Sequence, residues 1–432
     1  MPDAEFPHPN LEPLRLAILS IHTSPEAALG GKKTGGMNVY VREVARDMAR
    51  RGIRVDIFTR AASPDELGKV LDLSPNHRLI YLPCGPAQPL DTSVIFLHLN
   101  QFKKALEDFV EAEHMRYDAI YSHYWLSGWV AIQLRKKWDA PVAQMFHTLG
   151  HMKNRIADNR RNPDNDIRIR GETEIVKITD RIIAATPAEY TQLLMLYRAD
   201  RRKIDIVPPG VDLKRFSPAD PVEARRKIGI DEACKLLLFV GRIEPLKAVD
   251  TIFDALVEIR NTRPDVLDDL CITIIGGDPV QGDEEMQRLQ ALREMLDLEK
   301  QVRFLGAQSQ DILPDFYRAA SALIMPSDYE SFGMVALEAM ACGTPVIASE
   351  VGGLAYLVQD GITGYHVPVR EPGALAQRII ALLTDTAQQA RMGEAAHELA
   401  KHYSWSKITD KLLETFAMLG TRPRILSMGS SS

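Results

Sequence analysis

Short apolar runs punctuate the chain at intervals that leave room for a helix between successive runs. In the first half, Leu16-Ala-Ile-Leu-Ser-Ile21, Val55-Asp-Ile-Phe58, Ala119-Ile-Tyr121, Val142-Ala-Gln-Met-Phe146 and Arg181-Ile-Ile-Ala184 read as buried strands. Leu236-Leu-Leu-Phe-Val240, Cys271-Ile-Thr-Ile-Ile275, Val302-Arg-Phe-Leu305, Ala322-Leu-Ile-Met325 and Pro345-Val-Ile-Ala348 continue the series in the second half. Between the first two runs, Val41, Val44, Ala45 and Met48 recur at helical spacing. Such alternation predicts parallel sheets with helices packed on them, an α/β fold. Val207-Pro-Pro-Gly-Val-Asp-Leu213 breaks the series with two prolines and a glycine, and a domain change is expected there. The expected units are 1–207, 208–400 and a closing stretch 401–432, in which Ile408, Leu412 and Phe416 share a helix face ahead of a polar tail, Ser427 to Ser432.

A chain of 432 residues is long enough for two separate cores. With 45% hydrophobic and 25% charged residues, the composition is that of a globular protein. A net charge of -6 argues against a general nucleic-acid binder. Cys84, Cys234, Cys271 and Cys342 are scattered without a C-x-x-C pair, so reduced structural thiols are expected rather than zinc ligands or disulfides. Met1 to Pro13 is polar and Pro-rich rather than a signal peptide, and no apolar run reaches membrane-spanning length. A cytoplasmic protein without a transmembrane segment is expected.

Candidate chemistry gathers at Ser327-Asp-Tyr-Glu-Ser-Phe-Gly-Met-Val-Ala-Leu-Glu338, which joins a strand end, a Gly turn and a helix start. Glu330 and Glu338 are eight positions apart, a span of about 12 Å if helical, which is too long for a hydrolytic carboxylate pair. The spacing suits two ends of one elongated ligand, its anionic middle held by free amides at the helix start. The plainer alternative is that Ser331 caps the helix and Glu338 faces solvent. Paired Gly35 and Gly36 precede the first helix in neither a Walker A nor a G-x-G-x-x-G context. Arg242 and Lys247 follow a strand and could stabilise charge on a departing diphosphate, or be surface cations. His123 and His147 each follow a strand. Asn154 to Arg170 reads as a solvated polar loop, so its Asp164-Asn-Asp166 is not taken as a metal-binding D-x-D triplet. Arg42, Arg46 and Arg50 form a stripe expected to face solvent.

The Glu330 to Glu338 window resembles the E-x7-E motif of the GT4 retaining glycosyltransferases, with Ser331-Phe-Gly333 matching the signature between the glutamates. Gly241-Arg-Ile-Glu-Pro-Leu-Lys247 is similar to the family's G-R-x-x-x-x-K-G, with Ala248 in place of the last glycine, a change expected to alter the turn without removing charge. Ser20 to Pro25 and Gly35 to Tyr40 resemble the opening of bacterial sucrose-phosphate synthases and of inositol-3-phosphate glycosyltransferases. The resemblance implies a GT-B fold, two Rossmann-like domains facing across a cleft, the first on the acceptor side and the second binding the donor, with the last helix returning to the first domain. It further implies that Glu330 lies by the donor sugar and Glu338 by the ribose. The diphosphate would be met by Arg242, Lys247 and the amides through Ser331, Phe332, Gly333, Met334 and Val335. By the same resemblance, Gln308 would meet the base, His147 the donor hexose, and Gly35 and Gly36 the diphosphate and acceptor.

Asn38, Tyr124, Thr148, Lys153, Arg168 and Arg170 are the expected acceptor contacts, the last three cations suiting a phosphate. Tyr124, Thr148 and Arg168 match acceptor positions of the inositol enzymes, whereas the lysine those enzymes carry in an earlier loop has no counterpart in Gly85 to Gln101, which lacks lysine and arginine. The expected activity is retaining hexosyl transfer, glucose from UDP-glucose to a small phosphorylated sugar or polyol, with fructose 6-phosphate ahead of inositol 3-phosphate. Alternatives are an inositol-3-phosphate N-acetylglucosaminyltransferase, use of another nucleotide sugar, or a non-catalytic nucleotide-sugar-binding protein. No cofactor or metal is expected. The expected partners are a nucleotide sugar and a small phosphorylated acceptor.

Overall fold

The computed structural model describes residues 14–27, 35–156, 163–231, 233–280 and 282–420. Met1 to Pro13 and the tail from Ser427, to which sequence expectations were attached, lie outside them. The first eight strands are β1 (Arg15–Leu19), β2 (Arg54–Arg60), β3 (Val70–Ser74), β4 (His77–Leu82), β5 (Ala119–His123), β6 (Val142–Met145), β7 (Arg181–Ala184) and β8 (Ile204–Ile206). They form one sheet in the order β3-β4-β2-β1-β5-β6-β7-β8. All its pairings are parallel except that of β3 with β4. A second, six-stranded sheet contains β9 (Lys235–Val240), β10 (Leu270–Ile275), β11 (Val302–Gly306), β12 (Ala322–Met325), β13 (Val346–Ser349) and β14 (Gly364–Val367). Its order is β11-β10-β9-β12-β13-β14, parallel throughout. Strand order reverses beside β1 in one sheet and beside β9 in the other, and open α/β sheets bind ligands beyond the carboxyl ends of strands at such points.

Every strand expected from an apolar run is present, and β3, β4, β8 and β14 are additional. β3 is an exposed edge strand, so no burial imprints a hydrophobic run on it. β4 opens His77-Arg78, whose polarity is absorbed by Asp56 on β2: Arg78 donates to both Asp56 oxygens at 2.7 and 3.0 Å.

Two expectations are corrected here. Pro163–Ile178 is a helix, not a solvated loop. Its buried face carries an Arg168–Glu172 ion pair at 2.7 Å among apolar Ile175 and Val176, so charge hides the amphipathic pattern. Within the rejected D-x-D triplet, the side chains of Asp164 and Asn165 lie outside the described residues. Cys234 and Cys271 form a disulfide, their Cα atoms 5.9 Å apart. Cys234 immediately precedes β9 and Cys271 pairs with Leu236 in the β9–β10 register, a proximity created by the sheet and invisible in a separation of 37 residues. Cys84 and Cys342 are the free, buried thiols.

The chain passes between the halves twice. The two crossings are pinned together where Val211 N–H donates to Tyr403 O at 2.8 Å. Beyond the second crossing, the helix Trp405–Met418 is capped by Ser404 and packs on the helix Gly36–Arg50. Its Ile408, Leu412 and Phe416 are buried, with Phe416 edge-on to Tyr121 at 5.5 Å and Trp405 edge-on to Tyr40 at 5.8 Å. Truncating Phe416, which is 1% exposed, to alanine is expected to cost about 3–5 kcal/mol in denaturant unfolding followed by circular dichroism, through lost burial and a residual cavity. A loss under about 1 kcal/mol would show that the last helix does not anchor the first sheet.

Candidate functional site at the cleft

The loop after β12 runs from Pro326 to Gly333, and the helix Met334–Ala341 begins only after Gly333, whose φ is 101°. Ser331 therefore does not cap it, and Glu338 is not solvated: it is 8% exposed and accepts a 2.9 Å hydrogen bond from Tyr317 Oη. Burial pushes its carboxyl up to about 7 against the opposing effect of Tyr317. Glu338 lines a narrow cavity with Val39, Arg42, Arg215, Gln310 and Met334. At the other end of the window, Glu330 Oε2 takes a 2.5 Å ion pair from Lys247 Nζ. Arg242 is more exposed and pairs with Glu244 at 2.7 Å. Ala248, where the resembled motif has glycine, adopts a left-handed φ of 50°, at a strain of about 1–2 kcal/mol for a residue with a side chain.

The helix Gly36–Arg50 starts directly opposite. A Cβ on Gly36 would lie 2.9 Å from Met334 Sδ, so the flexible side chain that opens the second helix rests against the first residue of this one. Asn38 is buried and committed to the preceding loop. Its Oδ1 accepts from Gly35 N–H at 3.0 Å, while Nδ2 donates to Thr23 Oγ1 and Ser24 O at 2.8 and 2.7 Å. Arg42 departs from the expected solvated stripe: it reaches the second half, donating to Gln310 Oε1 at 2.8 Å, which also accepts from Arg215 at 3.1 Å. Gln308 lies on the same loop, folded back on Leu305 O at 2.9 Å.

At the ends of β5 and β6, His123 Nδ1 lies 3.0 Å from His147 Nε2. His147 holds φ 61°, a strained value for a non-glycine residue that aims its side chain back toward His123. Burial lowers both imidazoles, His147 to about 3 with His22 adding to the effect, so the pair is neutral at physiological pH.

Arg168 is enclosed by a full set of partners. Nε donates to Glu172 Oε1 at 2.7 Å, Nη1 to Tyr124 Oη at 3.3 Å, and Nη2 to Thr148 Oγ1 at 3.0 Å and to the Thr148 carbonyl. Its guanidinium also lies 4.8 Å from the Tyr124 ring centre. Glu172 in turn accepts from Gly150 N–H at 2.9 Å and from Tyr197 Oη. The expected basic trio is thereby separated: Arg168 is buried, Arg170 is exposed on the same helix, and the Lys153 side chain lies outside the described residues. Among the described residues, no group of three or more His, Cys, Asp or Glu could hold a metal ion, and no helix is long and apolar enough to cross a membrane.

Residues 34–215 match the family model described as Glycosyltransferase Family 4, and residues 222–399 that described as Glycosyl transferases group 1. A D-inositol 3-phosphate glycosyltransferase of Geodermatophilus obscurus is 40% identical over 94% of this chain and 89% of that protein. The enzyme of that name from Nocardiopsis dassonvillei is 38% identical over 97% of each chain. Among solved structures, a sucrose-phosphate synthase from Thermosynechococcus elongatus superposes with a TM-score of 0.85 at 32% identity, covering 94% of this chain and 99% of that one. The chain belongs to the GT4 family of retaining glycosyltransferases.

This GT4 enzyme has the GT-B fold, and two parts of its cleft escaped the sequence reading. Glu172 and Tyr197 brace the turn from Thr148 to Gly150; Glu172 sits four residues after Arg168, a helical ion-pair spacing hidden where the stretch reads as a loop, and Tyr197 sits at no spacing that singles it out. The turn Val351-Gly-Gly353 after β13 carries a legible sign, paired glycines at a strand end. It backs the Glu330 loop: Gly353 N–H donates to Glu330 O at 3.0 Å, and a Cβ on Gly352, at φ 47°, would lie 1.8 Å from that oxygen. Gly352→Ala is expected to displace Glu330 and lower kcat/KM of the GT4 enzyme at least about tenfold, a cost of 1.4 kcal/mol or more. Wild-type kinetics in a folded variant would show that the turn does not set the position of Glu330.

Proposed function

We propose that this GT4 enzyme transfers a hexosyl unit, N-acetylglucosamine, from its UDP conjugate to D-inositol 3-phosphate with retention of configuration. The observation that carries the acceptor reading is the joining of Tyr124, Thr148 and Arg168, remote in sequence, into one hydrogen-bonded cluster at the ends of β5 and β6. Both hydroxyl oxygens accept from the guanidinium, which leaves both O–H groups free to donate to an anion. Arg168 thus acts by orienting two donors, and a phosphate on a polyol suits them. The relatives named for inositol 3-phosphate, at 38–40% identity, favour that acceptor over the fructose 6-phosphate that led on sequence grounds. The likeness to a sucrose-phosphate synthase keeps fructose 6-phosphate as a second acceptor to test.

The donor would lie along the second sheet's carboxyl edge, with Glu338 toward the ribose, Gln308 toward the base and Glu330 beside the sugar. As the bond from the anomeric carbon to the diphosphate oxygen breaks, Arg242, Lys247 and the N–H groups opening the helix Met334–Ala341 stabilise the charge left on the phosphate. The acceptor hydroxyl attacks on the same face, and its proton passes to that phosphate oxygen. These groups take the part a divalent cation plays in other transferases, so transfer is proposed to need no metal.

The test measures UDP release from UDP-N-acetylglucosamine and UDP-glucose with inositol 3-phosphate, fructose 6-phosphate and their unphosphorylated forms, each with and without EDTA. Inositol 3-phosphate is expected to be used in preference, equally well in EDTA. Equal use of free inositol would remove the phosphate site, and loss of activity in EDTA restored by Mg²⁺ would overturn metal independence. In the same assay, Arg242→Ala and Lys247→Ala are each expected to lower kcat about a hundredfold or more, because the charge they meet is greatest in the transition state. Near-normal turnover in both would make them surface cations.

A further inference from the structure

The loops that carry Lys247 and Glu330 follow different strands, β9 and β12, and a third segment ties them together. Arg370 stands three residues beyond the end of β14, which β13 and β12 separate from β9 in the sheet. Its guanidinium donates to both Asp328 oxygens, from Nε at 2.7 Å and from Nη2 at 2.6 Å. Nη1 donates to Asp250 Oδ1 at 2.8 Å, and Nη2 also reaches Pro245 O at 3.0 Å. Asp328 is two residues ahead of Glu330 and Pro245 two ahead of Lys247, while Asp250 lies in the first turn of the helix Val249–Thr262 that follows Lys247.

An isolated exposed ion pair contributes little, because water screens it and two long side chains must be ordered to form it. The geometry here is different. The fork onto Asp328 is bidentate, the Asp250 and Asp328 side chains are only 19% and 22% exposed, and one planar group serves three segments at once. Asp250 Oδ2 accepts from Arg288 at 3.0 Å, so both of its oxygens are held. Arg370 itself adopts φ 58°, a left-handed value that disfavours any residue with a side chain and persists where the surroundings fix it. Between the two loops run one backbone bond, Asp328 N–H to Leu246 O at 2.9 Å, and the Lys247–Glu330 ion pair.

We propose that Arg370 is a positioning residue that clamps the loop after β12 to the loop after β9, so that Lys247 and Glu330 are held where their ion pair forms. It acts through Asp328, Pro245 and Asp250, the immediate neighbours of that pair in the chain. The consequence for transfer rests on the roles proposed above for Lys247 and Glu330; the clamp itself does not.

The first experiment is amide hydrogen exchange of the full-length protein without substrate, comparing wild type with Arg370→Gly and Arg370→Lys. Glycine takes the left-handed backbone without strain, so its effect reports the lost guanidinium, whereas lysine keeps the charge and loses the fork. Exchange at Asp328 N–H and across residues 244–248 is expected to quicken about tenfold in the glycine variant and at least about threefold in the lysine variant, the scale of one charge-assisted hydrogen bond, with β9 and β12 unchanged. Wild-type exchange at Asp328 in either variant overturns the clamp. Equal quickening within β9 and β12 overturns it too, because that is general loosening. The second experiment is kinetic, in the UDP-release assay. Arg370→Gly is expected to lower kcat about tenfold with KM for the acceptor within about twofold, and to add no further loss in a Lys247→Ala background. Additive losses, or normal kcat in Arg370→Gly beside a slow Lys247→Ala, would overturn the positioning role. Normal turnover in Lys247→Ala would count against the function reading alone, and the exchange result would stand.

Discussion

The cleft depends on two helices that begin at the same place. Gly36–Arg50 comes from the first sheet and Met334–Ala341 from the second, and the Met334 side chain rests against Gly36. Each start leaves backbone N–H groups without acceptors and carries roughly half a positive charge. Two like ends so close repel in an empty cleft and attract an anion placed between them. Lys247, paired with Glu330 just ahead of the second helix, adds to that field. A diphosphate is the anion we propose for this place, and the glycosyl transfer proposed above leaves its negative charge at that point.

Keeping those ends in place requires the two sheets to hold a fixed relation. The crossings at Val211 and Tyr403 are tied by a backbone bond, and the last helix carries its Trp405, Ile408, Leu412 and Phe416 into the core beneath the first. Arg42 and Arg215 converge on Gln310 and form a polar contact from the first helix to the second sheet's loop.

Charge buried near the cleft is expensive and is balanced case by case. Arg168 and Glu172 lose nearly all their water, and the loss is offset only because each fills its hydrogen-bonding capacity from the other and from Tyr124, Thr148, Gly150 and Tyr197. Glu338 has one Tyr317 hydroxyl for a donor, and its burial raises its pKa. His123 and His147 avoid the cost by staying neutral.

The sequence by itself determined the α/β class and the strands with apolar runs, and it singled out the glutamates, glycines and cations proposed for the donor. Those features are local: a buried parallel strand must be apolar along its length, and Glu330, Gly333 and Glu338 belong to one turn and helix. Edge strand β3 left no trace because exposure removes the need for an apolar face. The residues proposed for the acceptor were legible only as scattered positions. That Arg168 is an internal brace and Arg170 an exposed neighbour, that Cys234 meets Cys271, and that His123 bonds His147 were decided by the register and packing of elements far apart in the chain. A residue's type states which bonds it can make, but which partner fills them depends on distances that only the packed sheets fix.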